Sequence, residues 1–339
     1  MKPRDGVFMG IDVGATNVRA AVVDSEGHVL GEEKHRLVSR EPPQVAEAVV
    51  RAAKTACGAA GMPFSELLGM GVGIAGSVQR GTGLVLDAPQ LGWHSVPFLK
   101  LLQARAPRLP LWIDNELAVA AWGERAAGAG RGVDDLLVVL VGGAVGSALI
   151  LGGKLHEGAS GGSGELGHVV VQPGGRACAC GQKGCLEAYV GGQQLAACAR
   201  EELRAAIGAM RAAAQRAPAA ARILYEHVNG DPEKITVAVM ERCAHEGDEP
   251  SRRILETAGQ FLGTAVANLV TVLNPARLLL GGGVLGASPR LLRAAIAAID
   301  ARAHKAARAA LTISAPALGE TAPVVGAALL ARASLPEAA

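Results

Sequence analysis

The residues most able to do chemistry lie closest together in two runs, Glu165-Leu-Gly-His168 and Cys178-Ala-Cys180-Gly-Gln-Lys-Gly-Cys185-Leu-Glu187. Turn-forming glycines separate one imidazole and three thiols, so the four side chains can converge on a tetrahedral ion. Cysteines that only fill a core rarely cluster this way in sequence. Four protein ligands close a metal site and leave no position for an activated water. The spacing therefore predicts a structural Zn2+ held by His168, Cys178, Cys180 and Cys185, not a catalytic one. Six cysteines in 339 residues are too few for a disulfide scaffold.

Glycine-rich turns form a second group: Asp12-Val-Gly14-Ala15-Thr16-Asn17, then Gly142-Gly143-Ala144-Val145-Gly146, then Gly281-Gly282-Gly283. Glycines let a backbone approach a phosphate closely and Thr16 could donate a hydroxyl, although a glycine turn between strands is often only a turn. A third group, Asp114, Asn115 and Glu116, stands at the mouth of a helix, where acidic residues can also serve as caps.

These residues need elements to hold them. The segment 7–23 has an apolar run, a glycine-bearing turn and a second apolar run, the pattern of a β-hairpin. Helical spacing is read over 43–58, 97–106, 117–128, 191–216 and 251–273, the last stopped by Asn274-Pro275; strands are expected at 68–75, 109–113 and 278–280. A second hairpin, 136–141 returning over 147–151, echoes the first. At 339 residues two lobes are expected: a smaller N-terminal one over 1–130 and a larger one over 131–319, with a C-terminal helix at about 320–335 packing back on the first.

Half of the residues are hydrophobic but only 3% are aromatic, so the core must be built from Ala, Val, Leu and Ile, with 45 glycines easing close approach. A net charge of +2 with interspersed signs argues against nucleic acid or an anionic membrane as partner. No apolar stretch of about 20 residues is free of charges or glycines, and the opening MKPRDG lacks a signal-peptide pattern, so a cytoplasmic protein is expected. A first strand at Val7 leaves no room upstream for a helix-turn-helix module.

GIDVGATN, APQLGW, IDNELAVAAWGE, GASGGSGELGH, CACGQKGCLE and NLVTVLNPARLLLGGGV together resemble the ROK family of bacterial sugar kinases and sugar-responsive repressors over nearly the whole chain. The resemblance implies an α/β, two-lobed actin and hexokinase-like ATPase fold of duplicated ribonuclease H-like domains, with ATP and sugar meeting between the lobes. It implies ATP and Mg2+ as cofactors and, commonly, a homo-oligomer. Asp12 would orient magnesium, and Gly14, Ala15, Thr16 and Asn17 would line a first phosphate loop. Gly142, Gly143 and Gly146 would belong to a second, and Gly281, Gly282 and Gly283 would pack on adenosine. The sugar would meet Gln90, Asn115, Glu116, Glu165, His168 and Glu187, with one nitrogen of His168 on zinc and the other on a hydroxyl. Glu165 and Glu187 could be plain surface acids, but flanking the metal ligands they are better explained as hydroxyl acceptors.

Three positions depart from the family pattern. Aligned on Gly123-Glu124, the catalytic aspartate falls on Glu116, one methylene longer. Gln90 stands where Asn is usual, and Gly143-Ala144 where Thr-Gly is usual. A base displaced by about 1 Å can cost roughly 100-fold in rate unless the pocket is refitted. The expected activity is ATP-dependent phosphorylation of a hexose, most simply glucose. A kinase for another hexose or a cyclitol, or a non-catalytic sugar sensor, are the alternatives.

Overall fold

The computed structural model describes residues 6–79, 81–213 and 219–335; the side chains of residues 209–221 lie outside that description. The chain forms two compact units, one made of residues up to Val138, Ala148–Gly164 and the part from Ser314 onward, the other of Val139–Ser147 and Glu165–Ile313.

The sheet of the first unit contains β1 (Phe8–Val13), β2 (Asn17–Val23), β3 (Val29–Arg36), β4 (Met70–Ile74) and β8 (Leu111–Asn115), in the order β3-β2-β1-β4-β8. The hairpin partners are antiparallel, whereas β1, β4 and β8 run parallel, so the carboxyl ends of all three point the same way. Between β4 and β8 lie a small antiparallel sheet, β5 (Ser77–Gln79), β6 (Leu84–Ala88) and β7 (Trp93–Val96), and the helix α2 (Phe98–Arg105).

Each face of the five-stranded sheet is covered. On one face α1 (Pro42–Ala59) starts with prolines in its first turn, a favoured place for them, and buries Val45, Val49, Ala52, Ala53 and Ala56 at helical spacing against Met9, Ile11, Val13 and Val72. On the other face α3 (Glu116–Ala126) and α12 (Ala322–Ser334) cover Phe8, Ala21 and Val23. A methyl group on Gly10 would lie 1.7 Å from the Val324 carbonyl oxygen, and one on Gly71 1.9 Å from that of Ala327, so α12 can seat only on glycines.

A second sheet, of order β11-β10-β9-β12-β13, contains β9 (Leu136–Val141), β10 (Val145–Leu151), β11 (Lys154–Leu155), β12 (Arg277–Gly281) and β13 (Thr312–Ser314). Hairpin strands on one side and later strands on the other repeat the order of the first sheet; β9 and β10 carry the chain into the second unit and out again. Helices α4 (Glu187–Val190), α5 (Gly192–Ala213), α6 (Ala219–His227), α7 (Val237–His245), α8 (Glu249–Leu273), α9 (Gly283–Ala287), α10 (Pro289–Arg302) and α11 (Lys305–Ala310) complete the unit. Asp248 caps α8 by accepting from the Ser251 amide, and Asn274 ends it in the left-handed region (φ 48°) just before Pro275.

The structure corrects the expected start of one helix. Strand β8 runs through Asp114 and Asn115, so the helix expected from Leu117 starts at Glu116 with Asn115 as its cap. The tail of the helix expected over 191–216, residues 214–216, lies outside the described residues. No helix among the described residues is long and apolar enough to cross a membrane.

Glu124, 1% exposed, closes the first unit. Its Oε2 accepts from the amides of Ala129 (2.9 Å) and Ala317 (3.0 Å) and its Oε1 from that of Leu318 (2.7 Å), fastening the end of α3 to the segment that leads into α12. A glutamine here has one acceptor oxygen and turns N–H toward N–H. Glu124→Gln should cost about 2–4 kcal/mol in urea unfolding; a loss below about 0.5 kcal/mol would show that the bonds are replaced by water.

Candidate functional site

In the first unit the predicted residues collect at the carboxyl ends of the parallel strands, where open α/β sheets bind ligands. Asp12 on β1 and Asp114 on β8 both stand opposite Gly73 of β4, one row before Asn115. Burial raises the Asp12 carboxyl to about 6 against the opposing pull of Arg19 and Lys34. Its Oδ1 is buried without a hydrogen-bond partner among the described residues. Glu116, the first residue of α3, is raised to about 7, first by burial and then by the charge of Asp12. Two carboxylates share a poorly solvated spot, and one buried oxygen has no donor; the chemistry fits a divalent cation.

Asn115 has most of its side chain committed. Oδ1 accepts from the amides of Leu117 (2.8 Å) and Ala118 (3.3 Å), and Nδ2 donates to the Gly76 carbonyl (2.9 Å), leaving one N–H for a ligand. Gly14, Ala15 and Thr16 form the turn of the first hairpin. The Gly14 amide donates to the Asn17 carbonyl at 3.0 Å, and Asn17 Nδ2 to the Thr16 hydroxyl at 2.8 Å. Thr16 is exposed. Gln90 is exposed too, on the turn between β6 and β7. Arg19, not singled out in the sequence, pairs with Asp12 across the hairpin and opposes the rise that burial imposes on its carboxyl. Counting back from the turn pairs position 12 with 19 and would have found it.

In the second unit the four ligand atoms of His168, Cys178, Cys180 and Cys185 all lie within 4.8 Å of one another. Cys178 Sγ is 3.6 Å from His168 Nδ1 and Cys180 Sγ is 3.7 Å from Cys185 Sγ. Tetrahedral zinc bonds of about 2.3 Å to sulfur place ligand sulfurs about 3.8 Å apart, so the spacing fits the ion. A disulfide would need about 2.05 Å. A hydrogen bond from the Gln182 backbone heads the causes that lower the Cys180 thiol, whereas burial and then the neighbouring thiols push Cys185 up to about 12. Three thiolates cannot coexist here without a cation, which a metal would supply.

His168 turns Nδ1 to the thiols, and Nε2 lies 4.0 Å from Glu165 Oε2. Glu187 begins α4 two residues after Cys185, and its Oε2 accepts from the Val145 amide at 3.0 Å. That amide belongs to the loop of Gly142, Gly143 and Gly146. Gly191 and Gly192 back onto the same loop, and Gly282 backs onto Val141, placing Gly281–Gly283 beside it. The second unit thus brings the histidine and cysteine cluster, Glu165, Glu187 and two glycine turns together; the first brings Asp12, Asn115 and Glu116 together.

Sheets of this order, each a hairpin followed by later strands, make the fold the actin and hexokinase-like one. Within it the chain belongs to the ROK family, whose model matches residues 8–334. A glucokinase of Streptomyces coelicolor is 30% identical over 279 residues, 82% of each chain. The crystal structure of a ROK family glucokinase from Streptomyces griseus in complex with glucose and AMPPNP is 30% identical, with a TM-score of 0.75 over 97% of this chain and 100% of that one. A xylose repressor of Caldicellulosiruptor bescii is 29% identical over 285 residues, 81% of this chain and 65% of the repressor.

The raised Glu116 carboxyl has a consequence for stability. Folded, it keeps its proton up to about 7; unfolded, it releases it near 4.5. The folded state therefore binds more protons between these values, and stability falls as pH rises through the window. Without magnesium or nucleotide, Glu116→Gln should be more stable than the parent by about 1–3 kcal/mol at pH 8. In thermal denaturation at pH 4.5 the gain should vanish. An equal gain at both pH values would assign it to packing.

Proposed function

We propose that this ROK-family sugar kinase transfers the γ-phosphoryl group of ATP to a hydroxyl of glucose, giving glucose 6-phosphate. The observation that carries the reading is the buried carboxylate pair, Glu116 beside Asp12, at the carboxyl ends of parallel strands. The likeness to glucokinases supports glucose as the substrate.

Phosphoryl transfer asks a protein mainly to position and neutralise. Glu116 takes the proton from the attacking hydroxyl; a carboxyl raised to about 7 is matched to proton transfer near neutral pH. Asp12 offers its unpartnered oxygen to magnesium, which when bound neutralises phosphoryl charge. The turn of Gly14, Ala15, Thr16 and Asn17 and the loop of Gly142, Gly143 and Gly146 present backbone amides to phosphates, and Gly281, Gly282 and Gly283 face the adenosine. Asn115 directs its remaining N–H to the sugar, Gln90 reaches it from the β6–β7 turn, and Glu165, His168 and Glu187 accept or share its hydroxyl protons.

His168, Cys178, Cys180 and Cys185 would hold a zinc ion; His168 turns Nδ1 toward the thiols, so its ring would be fixed with Nε2 left for a sugar hydroxyl. Protein purified without chelator should carry about one equivalent of zinc, and its removal should lower the melting temperature. Elemental analysis below about half an equivalent would count against the site.

A second reading, a sugar-binding sensor without turnover, draws on Glu116 and Gly143-Ala144 and on the likeness to a xylose repressor. A coupled ADP-release assay with glucose, mannose, N-acetylmannosamine, fructose and a cyclitol separates the two. Glucose turnover is expected, with kcat/KM declining below a pH near 7 as Glu116 takes up its proton. Glu116→Gln should cut kcat by about 100- to 10,000-fold with sugar affinity largely kept. Sugar binding in a calorimeter without turnover on any of the five would leave the sensor.

A further inference from the structure

The segment that carries the metal ligands also grips the second glycine loop. The Val145 amide donates to Glu187 Oε2 at 3.0 Å, the Gly192 amide donates to the Gly142 carbonyl at 2.9 Å, and the Gly142 amide donates to the Ala144 carbonyl at 2.8 Å, closing the turn. Gly167, next to His168, lies against the loop from the other side: a methyl group there would sit 2.2 Å from the Val145 carbonyl oxygen. Positions 142 and 145 are thus fixed by residues 167–192, while Gly143 and Ala144 between them are exposed.

Val145 is 5% exposed, so its amide needs an acceptor within the protein. Glu187 Oε2 fills that need, and Oε1 has no hydrogen-bond partner among the described residues. A ligand hydroxyl can bond to Oε1 without orphaning the Val145 amide. With both oxygens engaged, the carboxylate loses rotamer freedom and the loop fastened to it loses mobility. A second ligand that needs an ordered loop then binds at a lower entropic cost.

We propose that Glu187 is a positioning residue that couples the two substrates: a sugar hydroxyl on Oε1 stiffens, through Oε2 and the Val145 amide, the loop that receives nucleotide phosphates. The coupling rests on the sugar-kinase reading above. It is reciprocal, so the nucleotide tightens the sugar by the same factor.

The test is a calorimetric cycle on the full chain, titrating AMPPNP with and without saturating glucose and glucose with and without AMPPNP. For the unaltered protein, each ligand should tighten the other at least about fivefold, the lower end of usual couplings. Glu187→Gln keeps a carbonyl for the Val145 amide but presents an amide to the sugar. It should bind AMPPNP alone within about twofold of the parent and lose most of the mutual tightening, an effect that a purely structural role would not produce. Glu187→Ala, with its melting curve and zinc content checked, should bind AMPPNP alone several-fold more weakly, because the Val145 amide has lost its acceptor. Unchanged AMPPNP affinity in Glu187→Ala, or parent-like tightening in either variant, would overturn the coupling while sugar binding by the parent upholds the kinase reading. A parent that binds no sugar of the assay panel would overturn both.

Discussion

The seating of α12 on the first sheet is the constraint on which the first unit depends. Backbone meets backbone there, Val324 over Gly10 and Ala327 over Gly71. Side chains can be exchanged for others of similar volume, but a carbonyl in van der Waals contact with a strand tolerates no added atom. The contact fixes β1 against β4, and α3 beside α12, so the carboxylates of Asp12 and Glu116 inherit their separation from the last helix of the chain. Glu124, with its three amide donors, holds the segment that delivers that helix.

The two units handle charge in opposite ways. In the first, carboxylates are kept in a poorly solvated place and their proton affinities rise, an arrangement that costs stability and suits groups that must exchange protons or bind a cation. In the second, the cost falls on thiols, and the four side chains converge closely enough that one shared ion would offset it. Neither arrangement follows from burial of apolar surface, which both units achieve with small aliphatic side chains and few aromatics.

What was legible in the sequence was largely what is local. His168 and the three cysteines stand close together in the chain, so their spacing alone predicts their convergence. The first hairpin showed through its glycine turn, and the end of α8 through Asn274-Pro275. Strand β3 was missed because its residues, VLGEEKHR, alternate between partly and fully exposed with no apolar face. The three short strands β5 to β7 are too brief for periodicity to register. Helix α3 starts one residue before the expected Leu117 because Asn115 both ends a strand and caps the helix. The pairing of Asp12 with Glu116 and of Glu187 with Val145 is set by the fold, and no count along the chain reveals it; the residues themselves single out Glu116 and the glycine loops, and only the roles expected of them come from the family resemblance.

The double employment of Asn115 bears on how such a protein could change its diet. Its carboxamide caps the helix that begins with Glu116 and also anchors Gly76, so any substitution at Asn115 would loosen Glu116 in the same stroke. Gln90 carries no such burden, standing exposed on a turn of a small peripheral sheet. If both meet the sugar as proposed, drift toward new sugars is cheap at Gln90 and nearly closed at Asn115.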